Sequence, residues 1–321
     1  MKYTLDYKKY AELARRVAAE GSVLLRNEDE VLPLQKGQKV SIFGRTQFEH
    51  YKSGTGSGGM VNAPYVTNIT DSLKEDGTVQ VNEALETQYR EWLKDHPFDV
   101  GEGWAMEPWN QEEMPISEEL AAQASEQSDL AIVVIGRTAG EDKDNSATEG
   151  SYLLTAAEEE ILRNVCHAFE QTIVVLNVGN IMDMKWVDRY QPQAVLYVWQ
   201  GGQEGGRAAA DVLTGKVNPG GKLSDTIAVD IEDYPSTENF GDPVENFYTE
   251  DIYVGYRYFE TFARDKVKYP FGFGLSYTRF QTETMGLAVR GTEVTAIEKV
   301  TNVGGVSGRE TIQVYVEAPQ G

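Results

Sequence analysis

The sequence predicts an α/β fold in which an open, mostly parallel sheet carries helices on both faces, followed by part of an all-β sandwich. Apolar runs of strand length alternate with helical segments through most of the chain, which favours parallel strands joined by crossover helices. The runs are apolar throughout, as is typical of strands covered on both faces. Near residue 275 the pattern changes to period-two alternation with β-branched residues and glycine turns, which predicts antiparallel strands.

The first part of the chain contains one strand and several helical segments around a long loop. Leu13 and Val17 lie one helical turn apart, and Gly21 stands where a helix C-cap is expected. We expect a helix over 8–21, a strand over 39–45, a loop over 46–71, partly helical chain over 72–96 and an excursion over 97–116.

The middle of the chain alternates regularly between helix and strand. Ser117 precedes a helical run as an N-cap, and Thr155 and Glu158 have the spacing of a capping box. We expect helices over 117–128, 155–169, 181–190 and 205–215, and strands over 130–137, 172–179, 194–199 and 223–229.

The all-β part begins near residue 275, and "ETIQVYVEA" (310–318) has the pattern of a strand. We therefore divide the chain into an α/β domain over 1–274 and an all-β segment over 275–321. A sandwich of this kind needs about a hundred residues. We expect the sequence to stop within that domain and to be one piece of a longer protein.

Composition argues against several classes of function. The 321 residues carry a formal net charge of −22, which repels nucleic-acid phosphates and anionic membrane surfaces. The N-terminus lacks the apolar region of a secretory signal, and no apolar run reaches the length of a membrane span, so we expect a cytoplasmic protein. The single cysteine, Cys166, excludes an intrachain disulfide and is expected to pack as a small apolar residue.

Sequence motifs for metals, cofactors and several enzyme classes are missing. His50, His96 and His167 lie far apart and near no cysteine pair, so we expect neither a metal site nor a cofactor. The sequence contains no G-x-S-x-G elbow and no P-loop.

A glycine-rich stretch, "KSGTGSGG" (52–59), has the spacing of a dinucleotide-binding loop. That function needs the glycines directly after a strand and at the start of a helix, whereas here "QFEHYK" intervenes and no helix start follows. Two interpretations remain: a flexible loop, or a loop that contacts a polar ligand. Glycines allow close approach of the backbone, and Ser53, Thr55 and Ser57 supply hydroxyls suited to sugars.

A second glycine cluster, "WQGGQEGG" (199–206), lies between a predicted strand and helix. Gly201 and Gly202 suit a tight turn, and Gly205 and Gly206 would let the helix pack close to the sheet. Glu204 in the turn disfavours a bound phosphate. We therefore assign this cluster to packing.

An acidic loop, "GRTAGEDKDNSATEGSY" (136–152), follows a predicted buried strand. The carboxyl ends of strands are where open α/β sheets bind ligands. The loop is either a solvated surface loop or the source of a general acid whose pKa is raised by like-charged neighbours. Its carboxylates are Glu141, Asp142, Asp144 and Glu149, and its cations are Arg137 and Lys143.

Four stretches together resemble the second domain of glycoside hydrolase family 3, the β-glucosidase type. They are "AAEGSVLLRNEDEVLPL", "TAGEDKDNSATEGSYLLT", "VLYVWQGGQEGGRAAADVLTGKVNPGGKL" and "EDIYVGYRYFETF" with the later "YPFGFGLSYTRF". The resemblance implies an α/β sandwich of about six strands followed by a fibronectin type III-like domain. It also implies a retaining exo-glycosidase that removes β-linked glucose or xylose, with its nucleophilic aspartate on a separate (β/α)8 barrel.

The resemblance also assigns roles to residues of this sequence. The family's S-G-E-G-like motif matches "AGED" (139–142), which places the acid/base at Glu141. The departures at Ala139 and Asp142 make the loop more acidic. A serine of the glycine loop touches the sugar in relatives, which maps to Ser57, with Thr55 as the weaker candidate. Burial beside the nucleophile would raise the pKa of the acid.

The S-D-W-like nucleophile motif and the Lys-His pair of the barrel are missing from this sequence. The chain therefore resembles the permuted group of the family, and we expect the barrel after residue 321 or on a second chain. The expected partners are this barrel and a β-linked oligosaccharide or glucoside. Trp104 and Trp109 either stack on the sugar beyond the scissile bond or pack against another domain. The sequence leaves open whether the active species is a dimer or another homo-oligomer, and a non-catalytic carbohydrate-binding or scaffolding module is the alternative function.

Overall fold

The computed structural model describes residues 4–317, and an α/β sandwich makes up most of them. The helices are α1 (Tyr7–Gly21), α2 (Ile69–Asp76), α3 (Glu83–Asp95), α4 (Glu118–Ser125), α5 (Ala156–Ala168), α6 (Lys185–Tyr190), α7 (Gly205–Leu213) and α8 (Tyr256–Phe262). The strands are β1 (Val23–Asn27), β2 (Lys39–Phe43), β3 (Gln80–Val81), β4 (Leu130–Arg137), β5 (Thr172–Val178), β6 (Ala194–Tyr197), β7 (Ile227–Ala228), β8 (Val267–Tyr269), β9 (Phe280–Arg290) and β10 (Glu293–Asn302).

Six strands form the central sheet in the order β1-β6-β5-β4-β2-β3. Strands β2 to β6 run parallel, as their separation by helices predicts. Strand β1 pairs antiparallel with β6 and closes one edge, with Val23 opposite Tyr197. The predicted fold class, a mostly parallel sheet with helices on both faces, is confirmed.

Two cores lie on the two faces of this sheet. Alternate residues of β4 point to opposite faces, so Val133 joins one core and Val134 the other. Helices α3, α4, α5 and α6 cover the first face, and α1, α2 and α7 cover the second. Because both faces are covered, β4 and β5 are buried along their whole lengths.

Local sequence signals fix several helix ends. The Ser117 side chain accepts from the Leu120 amide, and Thr155 and Glu158 form the predicted capping box of α5. Gly205 and Gly206 do allow close packing, but against neighbouring segments rather than the predicted sheet, because a Cβ on Gly206 would overlap the backbone of Asn68 and one on Gly205 would overlap His50. Helix α7 can therefore lie directly against neighbouring chain.

Several strand predictions were incomplete or wrong. The sequence analysis missed β1, β3 and β8, and only Ile227–Ala228 of the segment predicted over 223–229 forms a strand, paired with β8 outside the main sheet. The described part of 310–318 has no strand structure; its Gln313 side chain instead donates to the Gly272 carbonyl at 3.2 Å. A strand needs a paired neighbour for its backbone groups, and this segment lies beside none among residues 4–317.

The all-β part consists of one antiparallel hairpin, β9 with β10. Alternate residues such as Leu287 and Val289 are exposed, so the hairpin presents an uncovered apolar face. The boundary predicted at residue 274 falls close to Tyr277, whose hydroxyl donates to the Val212 carbonyl of α7 at 2.9 Å. Among residues 4–317, no helix combines the length and apolarity that crossing a membrane requires.

Candidate functional site

The acidic loop begins where β4 ends, and a buried ion pair at the end of that strand holds it in place. Arg137, the last residue of β4, donates to Oε2 of Glu158 in α5 at 2.5 Å, and both side chains are almost fully buried. The same guanidinium donates to the carbonyls of Ser151 and Leu153 at 3.3 Å. Both ends of the loop are thereby fixed to one cation.

The glycine loop is fixed at the neighbouring strand end. Asn177, in β5, accepts from the Tyr51 amide at 2.7 Å and donates to the Tyr51 carbonyl at 3.0 Å. The same amide group donates to the Trp199 carbonyl at 2.6 Å. One buried side chain therefore connects the start of the glycine loop to the chain after β6.

The glycine loop and the acidic loop pair with one another like a fragment of parallel sheet. Thr55 and Gly140 form a parallel bridge, in which the Thr55 amide donates to the Ala139 carbonyl at 2.6 Å. The buried Thr55 hydroxyl donates to the Glu141 carbonyl at 2.8 Å. Thr55 therefore holds the acidic loop in place, and its direct contact with a sugar stays a prediction.

Ser57 and Glu141, 84 residues apart in sequence, meet at this junction. The backbone amide and the hydroxyl of Ser57 each donate to Oε2 of Glu141 at 2.7 Å. Gly56 makes this contact possible: it has φ of +75°, and a Cβ there would lie 2.5 Å from Oε2. The structure thus brings together two of the residues that the sequence singled out.

Hydrogen bonds from Ser57 set the direction of the Glu141 pKa shift in this chain. The two hydrogen bonds from Ser57, the backbone one first, stabilise the ionised form and lower the pKa of the exposed carboxyl. The acidic neighbours therefore do not raise the pKa of Glu141 within residues 4–317, and the rise expected from burial beside the nucleophile stays a prediction. An upward shift would need burial that residues 4–317 do not provide.

A cleft of about 680 Å³ opens between the glycine loop and the excursion at 97–116. Thr55 and Trp104 line it, and Trp104 exposes about half of its side chain. Trp109 does not line the cleft; it is half-buried beneath the acidic loop, with Lys143 Nζ 5.8 Å from its ring centroid. The two tryptophans therefore have different surroundings.

The cleft also contains polar residues that the sequence analysis did not single out. Burial raises the pKa of Glu107 and lowers the pKa of His50 to about 4. Lys52 lines the same wall and donates to the Val61 carbonyl at 3.0 Å. Lys52 begins the glycine-rich stretch 52–59 and His50 lies two residues before it, and this proximity was the signal that could have pointed to them.

Two features of residues 4–317 concern metal ligands and the single thiol. Among residues 4–317 no group of three His, Cys, Asp or Glu side chains is placed to hold a metal ion. Burial raises the pKa of Cys166 to about 11, which keeps the thiol protonated and unreactive.

The residues that form both sheet faces and the paired loops also match a family model. The model is that of the glycosyl hydrolase family 3 C-terminal domain, and it matches residues 22–277. The chain belongs to glycosyl hydrolase family 3. This confirms the resemblance that the sequence motifs indicated.

Family 3 relatives match almost the whole chain but extend far beyond it. A β-glucosidase of Ruminococcus albus is 54% identical over 98% of this chain, which spans 33% of that protein. β-Glucosidase A of Butyrivibrio fibrisolvens is 39% identical over 98% of the chain, which spans 42% of its length. The chain therefore covers about a third to two fifths of these relatives.

Solved family 3 structures share the fold. A β-glucosidase from Paenibacillus barengoltzii superposes with a TM-score of 0.90 at 53% identity, over 94% of this chain and 33% of that one. β-Glucosidase 3B from Thermotoga neapolitana, solved with glucose, gives 0.85 at 35% identity, over 94% of this chain and 43% of that one.

Proposed function

We propose that this chain is the acid/base-bearing domain of a retaining, exo-acting β-glucosidase that releases terminal β-linked glucose from oligosaccharides or glucosides. Glu141 is the acid/base in this proposal. The nucleophilic aspartate lies on a (β/α)8 barrel outside this sequence. The observation that carries the proposal is the presentation of Glu141 on paired loops at the carboxyl edge of the sheet, in a chain that belongs to family 3.

The exposure of Glu141 supports a site shared with another domain. A retaining glycosidase needs two carboxyl groups about 5–5.5 Å apart, one as nucleophile and one as acid/base. Glu141 faces outward from a rigid support, so a docked domain can bring the second carboxyl to it. The relatives contain ample additional chain for such a domain.

The chemistry assigned to Glu141 has two steps. Its carboxyl donates a proton to the glycosidic oxygen as the bond to the leaving group breaks, and its carboxylate then removes a proton from the attacking water. Burial beside the nucleophile's charge would raise its pKa once the domains are docked. By this account the 321-residue chain alone does not hydrolyse glycosides.

The sugar contacts proposed on this domain are Ser57 and Trp104, with Thr55 as a weaker candidate than Ser57. Trp104 presents an apolar ring beside polar groups, an arrangement that suits the face and hydroxyls of a sugar. A relative from Bifidobacterium longum, named exo-α-(1→6)-L-arabinopyranosidase, is 30% identical over 98% of this chain. A related domain therefore occurs in a protein named for a different sugar, and the choice of sugar depends mainly on the barrel.

The proposal is tested by comparing Glu141→Ala with the wild type in the intact enzyme, barrel included. Loss of the general acid should lower the turnover of aryl β-glucosides with poor leaving groups by roughly 10²–10⁴-fold. The glycosylation step with activated leaving groups, which need no proton, should be spared. Equal turnover of both classes by wild type and variant would move the assignment to another carboxylate of the acidic loop.

A further inference from the structure

The two hydrogen bonds from Ser57 favour the ionised form of Glu141, whereas a general acid needs the protonated form. Both donors point at one oxygen, Oε2, at 2.7 Å. A carboxylate that accepts two such bonds is stabilised in its ionised form. A general acid must instead hold a proton when the substrate arrives. The observed arrangement therefore favours the ionised carboxylate and is unsuited to the first catalytic step.

The two bonds differ in what can replace them. The Ser57 amide is part of the backbone of a loop that is paired with the acidic loop through Thr55, so this donor is fixed. The Ser57 hydroxyl can rotate about one bond, and the residue is exposed. Only the hydroxyl can leave Oε2 without movement of the loops.

We propose that Ser57 exchanges partners: its hydroxyl holds the Glu141 carboxylate while the site is empty and turns to a sugar hydroxyl when substrate enters. The carboxylate, left with one donor, then takes up a proton from solvent and becomes the acid. Ser57 is thus a positioning residue that couples occupancy of the sugar site to the protonation of Glu141. The exchange with a sugar rests on the proposed function.

The charged groups around Glu141 do not account for its ionised state. Its own loop carries Asp142, Lys143, Asp144 and Glu149, and Arg137, which pairs with Glu158; none of these contributes to the lowered pKa of Glu141. Lys52 and Glu107 line the neighbouring cleft, where burial raises the pKa of Glu107 and the hydrogen bond with Thr138 and the charges of Lys143 and Lys52 offset part of that rise. Removing the Ser57 hydroxyl should therefore raise the pKa of Glu141.

The first experiment measures the titration of the Glu141 side-chain carboxyl by carbon-13 NMR in the 321-residue chain. Wild type and Ser57→Thr, which keeps the hydroxyl, should titrate at low pH, and Ser57→Ala should titrate at higher pH. The matched control is Ser53→Ala, a serine of the same loop whose removal should leave the midpoint unchanged. If Ser57→Ala and wild type share one midpoint, the hydroxyl does not hold the carboxylate and the proposal is overturned. This outcome does not depend on any glycosidase activity, so it is distinguishable from a failure of the proposed function.

The second experiment tests the exchange in the intact enzyme with a glucoside of poor leaving group. The alkaline limb of kcat/KM reports the acid in the free enzyme, and that of kcat reports it in the complex. For the wild type the alkaline limb of kcat should lie at higher pH than that of kcat/KM. In Ser57→Ala the alkaline limb of kcat/KM should move to higher pH, because the free enzyme has lost the hydroxyl that stabilises the carboxylate. The pH difference between the two limbs should therefore shrink. An unchanged separation in Ser57→Ala would overturn the exchange, and a purely structural role would lower activity without moving either limb.

Discussion

Arg137 and Glu158 form a buried ion pair that ties the end of β4 to the first turn of α5. The side chains are 1% and 3% exposed, and Glu158 also accepts from the Thr155 amide at 2.8 Å. Since Arg137 also donates to the carbonyl of Ser151 in the acidic loop and to that of Leu153 just after it, one pair supports a helix start and the loop that carries Glu141.

Replacing Arg137 with methionine should leave Glu158 buried and unpaired. We expect the free energy of unfolding to fall by about 3–5 kcal/mol, the usual cost of breaking a buried pair from one side. Urea denaturation measures the change. The matched control is Lys94→Met, which removes an exposed pair with Glu91 and should cost less than about 1 kcal/mol. Equal losses in the two variants would show that the Arg137 pair has no special structural role.

Gly56→Ala should move the Glu141 carboxylate. The new Cβ would overlap the side chain of Glu141, and the residue would need φ of +75°, which costs an alanine about 1–2 kcal/mol. We expect a folded chain in which Glu141 titrates at higher pH, and a turnover by the intact enzyme reduced roughly 100-fold. Gly58→Ala is the control, because a Cβ there meets open space. Wild-type activity in Gly56→Ala would mean that this position of Glu141 is not the working one.

His50 should make the stability of the chain depend on pH in the acid range. Its pKa in the folded chain is lowered by burial to about 4, whereas an unfolded histidine titrates near 6.5. Between these values the unfolded state binds the extra proton, so the contribution is fully present above pH 6.5 and is lost as the pH falls towards 4.

Urea denaturation at several pH values tests this linkage. Wild type should lose on the order of 1 kcal/mol per pH unit more than His50→Gln between pH 6.5 and 4.5. The matched control is His167→Gln, which replaces a histidine whose side chain is exposed. Parallel slopes for wild type and His50→Gln would show that His50 is not held neutral.

Trp104→Ala tests the proposal that the Trp104 ring stacks on the sugar beyond the scissile bond. Since half of the side chain is exposed, the free energy of unfolding should change little, whereas kcat/KM for a disaccharide should fall roughly tenfold from the loss of a stacking contact. Met106→Ala, which removes another exposed apolar side chain from the same cleft, should have a smaller effect. Similar effects of the two substitutions would favour a general apolar rim over a specific platform.

The buried strands were predictable because their sequence signal is continuous. The observed β4 coincides with the predicted 130–137, and β5 and β6 differ from their predictions only at the ends. Strand β1 was missed because it is only five residues long and directly follows α1, and its pairing with β6 depends on contacts across the whole chain. The segment at 223–229 has strand composition, but only two of its residues find a partner.

Individual residues of the site could be predicted from the sequence, but the contacts between them could not. Glu141 and Ser57 came from a resemblance in their motifs, whereas their contact arises because β4 and the chain after β2 end at the same edge of the sheet. Sequence spacing carries no information about such a contact. For the same reason the lowered pKa of Glu141 could not be inferred from its acidic neighbours, since its cause is a serine in another loop.

The measurement that tests the account most directly is azide rescue of Glu141→Ala in the intact enzyme, with an activated aryl β-glucoside as substrate. Azide needs no base, so it can attack the glycosyl-enzyme intermediate that water no longer resolves. We predict faster turnover with azide and formation of β-glucosyl azide, in the variant and not in the wild type. Turnover by Glu141→Ala that equals the wild type and yields no azide product would contradict the assignment of Glu141 as the acid/base.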